Sequence, residues 1–296
     1  MPAVNYAESY ERALAQAYPN VLNFGELYNV ANNQTYKFVD AKTIHIPSIS
    51  VTGRKNVNRD AIDGNFQRNV DNSFETKTLT FYREWSTSID PADVMDTNMI
   101  LTIQNATQVF NETQKFPEKD AYTVSKIYAD WVAEGKKANT DALTVDNVLA
   151  VFDKLMEEMD EALVPSIGRL LYVTPAVKTL LKSASNIGLT KGVEHQANIN
   201  RVVDRLDEVR LITVPSFLMK TAYDFDTGFA PSESAKQINL FLVHPSAILT
   251  PNKYAFVGME APAAGTKGDY IYYEKEYSDV FILNNRTGAI AFNVEA

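Results

Sequence analysis

The side chains best suited to metal chemistry in this sequence are three histidines, His45, His195 and His244. Neutral imidazole nitrogens are common ligands of zinc and other transition metals. These three residues lie far apart and in no metal-binding spacing, so a shared site depends entirely on the tertiary fold. His244 directly precedes Pro245, where a polar side chain can cap the end of an apolar strand. We therefore favour a structural role for His244 and predict no resident metal or cofactor.

Three carboxylates, Asp90, Asp93 and Asp96, recur at intervals of three residues. Oxygen ligands in series can bind calcium, but the start of a helix explains the same pattern without an ion. Asp90 is a preferred N-cap residue, Pro91 suits the first helical position, and the later carboxylates favour the positive end of a helix dipole. The acidic run at 157–161 is likewise typical of a solvated helix face.

The sequence contains no recognised catalytic motif. Glycine-rich nucleotide loops, the Gly-x-Ser-x-Gly turn and the His-Glu-x-x-His pair are all absent. The lack of cysteine excludes disulfides, thiolate metal ligands and cysteine nucleophiles. A formal net charge of −9 disfavours tight binding to nucleic-acid phosphates. Since no positive feature supports catalysis, we predict that the protein is not an enzyme.

Length and composition indicate a folded chain. It has 296 residues, of which 45% are hydrophobic and 11% aromatic, enough for one large or two modest domains. No apolar run reaches the length of a membrane span, and the first residues lack the basic start and apolar core of a signal peptide. We expect the chain to remain in the cytoplasm in which it is made.

Residues 89–135 carry the longest helical pattern, and we predict two consecutive helices there. The first is expected from Pro91 to about Lys115, roughly 35 to 40 Å at 1.5 Å per residue. Phe116-Pro117 is expected to end it, because proline lacks a backbone N–H. A second helix, closed by Gly135, follows. The apolar positions that define the buried faces are Met95, Met99, Ile103, Ala106 and Phe110 in the first helix, and Ala121, Val124, Tyr128 and Trp131 in the second.

Two blocks before these helices, 35–51 and 74–85, alternate apolar and polar side chains, which predicts strands. The segment between them is rich in charge, so we predict an extended hairpin with a long charged tip. A loop of this length in a compact domain is usually functional or mobile, and a solvated loop is the alternative to a contact with another subunit. We expect the contact to be made by the charged side chains Arg54, Lys55, Arg59, Asp60, Asp63, Arg68 and Asp71.

The flanking segments complete a mixed pattern. Residues 1–34 form a helix-prone arm, with a helical stretch at 6–14 that Pro19-Asn20 ends. Alternating helix and strand patterns over 139–240 predict an α/β layer. Residues 238–296 are mostly β, and we expect a closing hairpin between 280–283 and 289–292.

In the order of these elements and in several local sequence motifs, the chain resembles the major capsid protein of tailed bacteriophages. The shell-forming fold of that family is shared with encapsulins and with the floor of herpesvirus capsids. The resemblance covers about residues 30–296, and it rests on the order and spacing of several sequence motifs. These motifs are Ile44-His45-Ile46-Pro47-Ser48-Ile49-Ser50-Val51-Thr52-Gly53, Ser88-Ile89-Asp90-Pro91-Ala92-Asp93-Val94-Met95-Asp96, Phe116-Pro117-Glu118-Lys119-Asp120-Ala121-Tyr122, Arg205-Leu206-Asp207 through Val214-Pro215-Ser216, and Leu242-Val243-His244-Pro245.

The resemblance implies an α+β fold with an N-terminal arm, an extended β-hairpin loop, a long spine helix in a peripheral domain and an α/β axial domain. It implies the following division: residues 1–34 are the arm, 35–88 the extended loop with its flanking strands, 89–138 and 253–277 the peripheral domain, and 139–252 and 278–296 the axial domain.

The function implied by the resemblance is structural: self-assembly as pentamers and hexamers into an icosahedral capsid that encloses double-stranded DNA without sequence-specific contact. Implied partners are further copies of the chain, a scaffolding protein, a portal and a decoration protein, and the implied location is the virion, assembled in the host cytoplasm. Two alternatives remain open, an encapsulin-type nanocompartment shell and an α/β enzyme without a recognisable motif.

Reversing two charges in the expected tip, Arg59→Glu with Arg68→Glu, should weaken assembly more than subunit folding. The reason is that the charges of the tip are expected to pair across subunits. Sedimentation would measure assembly and denaturant unfolding would measure subunit stability; shells of normal yield from this variant would contradict the prediction.

Overall fold

The computed structural model describes residues 20–30, 33, 37–40, 42–54, 70–96, 102–184 and 204–296. The helical stretch expected at 6–14 lies outside these residues. The described α-helices are α1 (Gly25–Tyr28), α2 (Pro91–Asp96), α3 (Ile103–Phe110), α4 (Phe116–Ala133), α5 (Val148–Glu161) and α6 (Pro175–Ser183). A π-helical turn occupies Asn111–Lys115, and 3-10 turns occupy Ser216–Leu218, Pro245–Ala247 and Asn284–Ala289.

The described strands form five sheets. They are β1 (Lys37–Phe38), β2 (Thr43–Val51), β3 (Val70–Thr78), β4 (Phe81–Ile89), β5 (Leu170–Val173), β6 (Arg205–Leu206), β7 (Val209–Thr213), β8 (Tyr223–Asp224), β9 (Ala230–Pro231), β10 (Ile238–Val243), β11 (Ile248–Leu249), β12 (Asn252–Glu260), β13 (Tyr270–Ser278), β14 (Phe281–Ile282) and β15 (Ile290–Val294). The sheets are β1-β2-β3, β15-β10-β5-β7-β6, β11-β14, β12-β13-β4 and β8-β9.

The five-stranded sheet is the centre of the α/β layer that the sequence predicted. Only β5 and β7 pair in parallel, and the other neighbours are antiparallel. Every side chain of β5 is buried, because helices cover both faces of the sheet and its central strands are therefore apolar on both sides. Leu171 and Leu242 pack with α5 and α6 on one face, whereas Tyr172, Phe241 and Phe292 pack with α4 on the other.

The three-stranded sheet β12-β13-β4 is built from antiparallel strands of nine residues each, and we call it the long-stranded sheet. The sequence grouped 81–88 with the extended hairpin, but the structure pairs β4 with β13 from Phe81↔Ser278 to Ile89↔Tyr270. Strand β3 ends at Thr78 and β4 begins at Phe81, so the single strand expected over 74–85 is wrong. Leu79 lies between the two strands, and its side chain is buried in the core at the base of the hairpin.

The helical residues Ile103–Ala133, which we call the spine, run across both large sheets. Near the start, the ring of Phe110 stacks on Trp85 of β4 with centroids 3.8 Å apart. Near the end, Trp131 contacts Phe292 of β15 at 5.2 Å between ring centroids. The spine therefore joins the long-stranded sheet to the five-stranded sheet through one continuous element.

The break expected at Phe116-Pro117 is wrong, because the helix continues through the proline. The π-helical turn lies directly before it, and the N–H of Phe116 donates to the carbonyl of Asn111, five residues back. This wider turn changes the hydrogen-bond pattern next to the position at which proline offers no donor. Lys115 and Phe116 keep helical backbone angles, with φ of −65° and −68°.

The start of the first helix is confirmed, but its continuity and its buried face are not. The Asp90 carboxylate accepts a hydrogen bond of 2.8 Å from the Ala92 N–H, as expected of an N-cap. Residues 97–101, which include Met99, lie outside the described residues, and Met95 is largely exposed. In α4 the expected apolar face is confirmed, with Ala121, Val124 and Trp131 buried.

The closing hairpin expected between 280–283 and 289–292 is wrong. Strand β14 pairs with β11, whereas β15 pairs with β10. The connection between them is the 3-10 segment Asn284–Ala289, and its Thr287 carbonyl accepts a 3.2 Å hydrogen bond from the Trp131 indole N–H. The connection therefore carries the chain from one sheet to another instead of reversing it.

Residues 20–30, part of the segment predicted as an arm, pack into the core of their own chain. Phe24 and Leu27 are fully buried, and the Phe24 ring lies 4.5 Å from that of Tyr172. The carboxylate of Asp120 in the spine accepts three hydrogen bonds, from the Asn23 backbone (2.9 Å), the Asn23 side chain (2.8 Å) and the Phe24 backbone (3.1 Å). Burial of this carboxylate raises its pKa from 3.8 to about 6 despite these donors.

The raised pKa of Asp120 predicts a stability difference that depends on pH. The folded protein binds the proton of Asp120 more tightly than the unfolded chain does. The contribution of this group to the free energy of unfolding is therefore complete below about pH 4 and is lost as the pH rises through about 6. Across this window the wild type should lose about 3 kcal/mol of unfolding free energy relative to Asp120→Asn, whose amide does not ionise.

Urea unfolding of both proteins at pH 4, 5, 6 and 7 measures this difference directly. The contributions of all other titrating groups cancel, because the two proteins share them. A difference between the two proteins that is the same at every pH would contradict the prediction.

Candidate intersubunit surface

Strands β2 and β3 form the extended hairpin that the sequence predicted. They pair antiparallel over nine residues, from Thr43↔Thr78 at the base to Val51↔Val70 toward the tip, a length of about 30 Å at 3.4 Å per residue. Among the described residues, the base of the hairpin packs on the rest of the chain through the buried side chains of Ile44 and Ile46. Their buried partners are Leu79, Leu249, Phe281 and Leu283.

The distal half of this hairpin has one apolar face that nothing in the described residues covers. Because side chains alternate along a strand, Ile49 and Val51 share a face with Val70 and with the paired Pro47 and Phe74. Asn72, the partner of Ile49, is a polar residue on the same face. Ile49 and Val51 are each 71% exposed and Phe74 is 60% exposed. The opposite face carries the paired residues Ser48↔Ser73 and Ser50↔Asp71. We call the first set, Pro47, Ile49, Val51, Val70 and Phe74, the apolar face of the hairpin.

This arrangement favours a surface made to be covered by another molecule. An exposed, long, apolar strand pair offers both hydrophobic side chains and free backbone groups to a partner. Successive side chains alternate between the two faces of the hairpin, so the five apolar side chains lie on one face and the serines and aspartate on the other. This separation defines which face of the hairpin a partner would contact.

Two of the charged residues predicted from the sequence, Arg54 and Asp71, lie in the described part of the chain. Lys55, Arg59, Asp60, Asp63 and Arg68 are outside the described residues. Of the other two, Arg54 is exposed three residues beyond the end of β2, and Asp71 lies on the polar face, where it accepts a 2.9 Å hydrogen bond from the Asn72 N–H. A contact through the charged tip stays a prediction.

The apolar face of the hairpin was not predicted, although the sequence carries a signal for it. At the base of β2 the buried residues occupy even positions, Ile44 and Ile46, whereas farther out the apolar residues occupy odd positions, Ile49 and Val51. This change of phase means that the apolar side chains at the base of the hairpin face their own chain. Farther out, the apolar side chains lie on the opposite face and point away from that chain.

The buried carboxylate of Asp279 fixes the point at which the hairpin leaves the long-stranded sheet. Its Oδ2 accepts from the Thr80 backbone N–H (2.6 Å) and hydroxyl (3.1 Å), at the break between β3 and β4. Its Oδ1 accepts from the hydroxyl of Tyr122 in the spine (2.7 Å) and from the Val280 N–H (2.8 Å). One side chain therefore joins the root of the hairpin, the spine and the end of β13. Burial, with Asp279 beside it, raises the pKa of Tyr122, which keeps the phenol a donor.

A row of ion pairs holds the spine on the long-stranded sheet. Lys115 lies 3.0 Å from Glu274, Lys119 lies 2.6 Å from Glu276, and Arg83 of β4 lies 2.5 Å from Glu118. Burial raises the pKa of Glu118, although Arg83 opposes the shift. These groups line a cleft of about 600 Å³, and their charges are used to position the helix.

The histidines considered as metal ligands have other surroundings. His244 caps the 3-10 turn that follows β10, as expected, since its ring accepts from the Ser246 N–H at 3.3 Å. The ring of His45 lies 5.7 Å from that of Phe74, and His195 is outside the described residues. Within the described part of the chain, no group of three His, Asp or Glu side chains is placed to hold a metal ion. In the same residues, no helix is both long enough and apolar enough to cross a membrane.

Comparison with known proteins identifies the fold. No protein-family model and no curated protein matches this sequence. Solved structures do match over almost the whole chain. The mature capsid of bacteriophage PhiM1 has a TM-score of 0.68 at 15% identity, covering 99% of this chain and 92% of that one. The capsid of cyanophage P-SCSP1u has a TM-score of 0.69 at 12% identity, with 98% and 93% covered. The capsid of Myoviridae phage XM1 has a TM-score of 0.58 at 10% identity, with 100% and 99% covered.

The chain therefore has the α+β fold of tailed-phage major capsid proteins, and the fold expected from the sequence resemblance is confirmed. At these identities the likeness concerns the fold alone.

Removing the Asp279 carboxylate, as in Asp279→Ala, should lower the unfolding free energy by about 3 to 5 kcal/mol, because four donors that it satisfies would lose their acceptor. Denaturant unfolding measures this loss, and amide hydrogen exchange should rise first at residues 78–82.

Asp40→Ala is the matched control for Asp279→Ala. Asp40 is an exposed carboxylate in the same region that also accepts backbone hydrogen bonds, from Lys42 and Thr43, and solvent can replace it. Equal losses of stability in the two variants would show that Asp279 has no special structural role.

Proposed function

We propose that this chain is the structural subunit of a tailed-phage capsid, which self-assembles as pentamers and hexamers into an icosahedral shell around double-stranded DNA. The fold supports this proposal, since capsids of three phages match it over nearly the full chain. The observation that carries it is the apolar face of the hairpin, which projects from the body and is left uncovered by its own chain.

Assembly explains why such a face exists. A lone subunit would expose five apolar side chains on a projecting strand pair, which promotes association. In a closed shell every hairpin meets a neighbour, so each copy gains the same modest apolar contact, and the contacts are multiplied over all copies. We infer that the hairpin lies on an adjacent subunit with its apolar face inward and its serine-rich face outward.

The proposal assigns each part of the chain a role in the shell. Residues 1–34 act as the arm and 35–88 as the extended loop, while 89–138 and 253–277 form the peripheral domain. The axial domain, 139–252 with 278–296, surrounds the fivefold and sixfold positions. The spine supports this division, because it is one element that contacts both large sheets and can hold the two domains at a fixed angle.

The proposed partners follow from a container role. The chain contacts further copies of itself, and a scaffolding protein, a portal and a decoration protein are the other expected partners. The net charge of −9 suits a wall that holds packaged DNA without gripping it. The proposed location is the virion, after assembly in the host cytoplasm.

Sedimentation and negative-stain images of the purified chain at neutral pH test this function. Rings of five or six subunits, or shells of megadalton mass, would support it, and their contents would separate a DNA container from an encapsulin-type compartment with protein cargo. A chain that stays monomeric with scaffolding partners and crowding agents would overturn it and return the α/β enzyme hypothesis.

Making the apolar face polar, with Ile49→Ser and Phe74→Ser, should raise the concentration needed for assembly about tenfold or more, because apolar anchors at the centre of an interface typically contribute above 1 kcal/mol each. The fold of the subunit should be retained, since exposed substitutions usually change stability by less than about 0.5 kcal/mol.

Ser48→Asn with Ser73→Asn is the matched control, because this pair lies on the same part of the hairpin but on its opposite face. Light scattering against protein concentration measures assembly for both variants. Assembly of the Ile49, Phe74 variant at wild-type concentration would refute a role for the apolar face.

A further inference from the structure

At the base of the hairpin, a lysine side chain contacts an asparagine from a distant part of the sequence. Nζ of Lys77, in β3, donates a 2.8 Å hydrogen bond to the side-chain oxygen of Asn284, 207 residues away. A carboxylate joins them, because Oε1 of Glu75 lies 2.9 Å from the same Nζ. An amine, a carboxamide and a carboxylate are therefore in contact at one point of the structure.

Strand register and apolar packing bring these three side chains together. Glu75 and Lys77 are two residues apart in β3, so they lie on one face of the hairpin, opposite the two buried isoleucines of β2. Those isoleucines share an apolar cluster with Leu283, and Asn284 is the next residue, at the start of the 3-10 segment Asn284–Ala289. The contact is thus fixed by the core at the base of the hairpin.

The carboxylate of Glu75 is held at both of its oxygens. Oε1 is buried and faces Lys77, and Oε2 accepts a 3.4 Å hydrogen bond from the backbone N–H of Asn284. The side chains of Lys77 and Glu75 are 20% and 14% exposed, unlike a typical surface ion pair, which solvent surrounds. Asn284 itself is exposed, so a small molecule released from its side chain has a path to solvent.

This arrangement provides the components of an amide exchange. A lysine amine is a nucleophile that forms covalent bonds with carbonyl carbons, and here it lies against the carbonyl group that it would attack. A carboxylate within hydrogen-bond distance can accept protons from the amine and donate them to the leaving nitrogen. Holding the reacting groups in contact accelerates such a reaction, because the entropy of bringing them together has already been lost on folding.

We propose that Lys77 and Asn284 form an intrachain isopeptide bond, with Glu75 as the catalytic proton carrier. The bond joins Nζ of Lys77 to Cγ of Asn284, and the folded chain forms it without another protein. This bond modifies the subunit itself and is separate from the apolar face of the hairpin and from the contact between subunits.

The reaction balances without an added reagent. Glu75 takes one proton from the lysine ammonium, and the neutral amine attacks Cγ of Asn284 to form a tetrahedral intermediate. The bond between Cγ and the carboxamide nitrogen then breaks, while Glu75 transfers protons from the lysine nitrogen to the leaving nitrogen. In total two protons move between the two nitrogens, one C–N bond forms, one breaks, and ammonium leaves.

The bond ties the root of the hairpin to the body of the chain. It links two positions that are 207 residues apart in the sequence, and a crosslink of this span restricts the unfolded chain, as a disulfide does. It also joins β3 to the 3-10 segment that connects β14 and β15. A force on the projecting hairpin is then transmitted through a covalent bond to the five-stranded sheet.

The intact mass of the denatured full-length chain tests this proposal. Loss of ammonia should lower the mass by about 17 Da. Trypsin does not cleave after a lysine whose amine is acylated, so the digest should contain residues 69–83 joined to residues 276–286. Tandem mass spectrometry of that product identifies the two linked side chains.

Three variants each remove one of the reacting groups: Lys77→Arg, Asn284→Ala and Glu75→Gln. Each should have the unmodified mass, and denaturant unfolding of the same samples shows whether each is folded. Asn285→Ala is the matched control, because it removes an asparagine side chain from the same 3-10 segment but leaves the three reacting groups in place. This control should keep the lowered mass.

An unmodified mass in the wild type would overturn the proposal and leave the contact a hydrogen bond. A loss of ammonia that persists in Lys77→Arg would also overturn it, since that result indicates cyclisation of an asparagine. A product of twice the chain mass would place the bond between copies instead. None of these measurements requires a shell to form, so the isopeptide bond and the capsid function can each fail without the other.

Discussion

The packing of one helix against two separate sheets is the constraint on which the rest of this structure depends. The early part of the spine lies on the long-stranded sheet through Phe110 and a row of ion pairs, and the later part is buried through Trp131 against the five-stranded sheet. Because the helix runs without interruption through Pro117, it holds the two sheets in one arrangement.

The hairpin depends on this core for its direction. The carboxylate of Asp279 bonds both to the spine, through Tyr122, and to Thr80 at the hairpin root. A buried carboxylate with four donors is costly to assemble but hard to distort once formed, so the hairpin projects at an angle set by the body of the chain. The proposed assembly role depends on this combination of a rigid root and a distal face that the described residues leave uncovered.

Sequence reasoning located most elements but misjudged how some of them connect. It predicted the α/β layer over 139–240, where β5 and α6 follow each other, because apolar runs and helical periodicity are local signals. It failed at Pro117, where the π-helical turn upstream is invisible in the residue types, and at 280–292, where two strands adjacent in sequence pair with different partners. Strand pairing is a long-range property, and no local pattern specifies it.

By itself the sequence determined the apolar stripe of α4 in Ala121, Val124 and Trp131, the extended hairpin and the absence of cysteine chemistry, since each follows from residue type and spacing within a short window. The tertiary structure decided which surfaces are left free. The apolar residues Ile44 and Ile49 look alike in the sequence, yet one is buried against Leu249 and Phe281 while the other faces solvent. Burial depends on which distant segments pack in the same place, so only the folded chain could show that the distal apolar side chains of the hairpin are exposed.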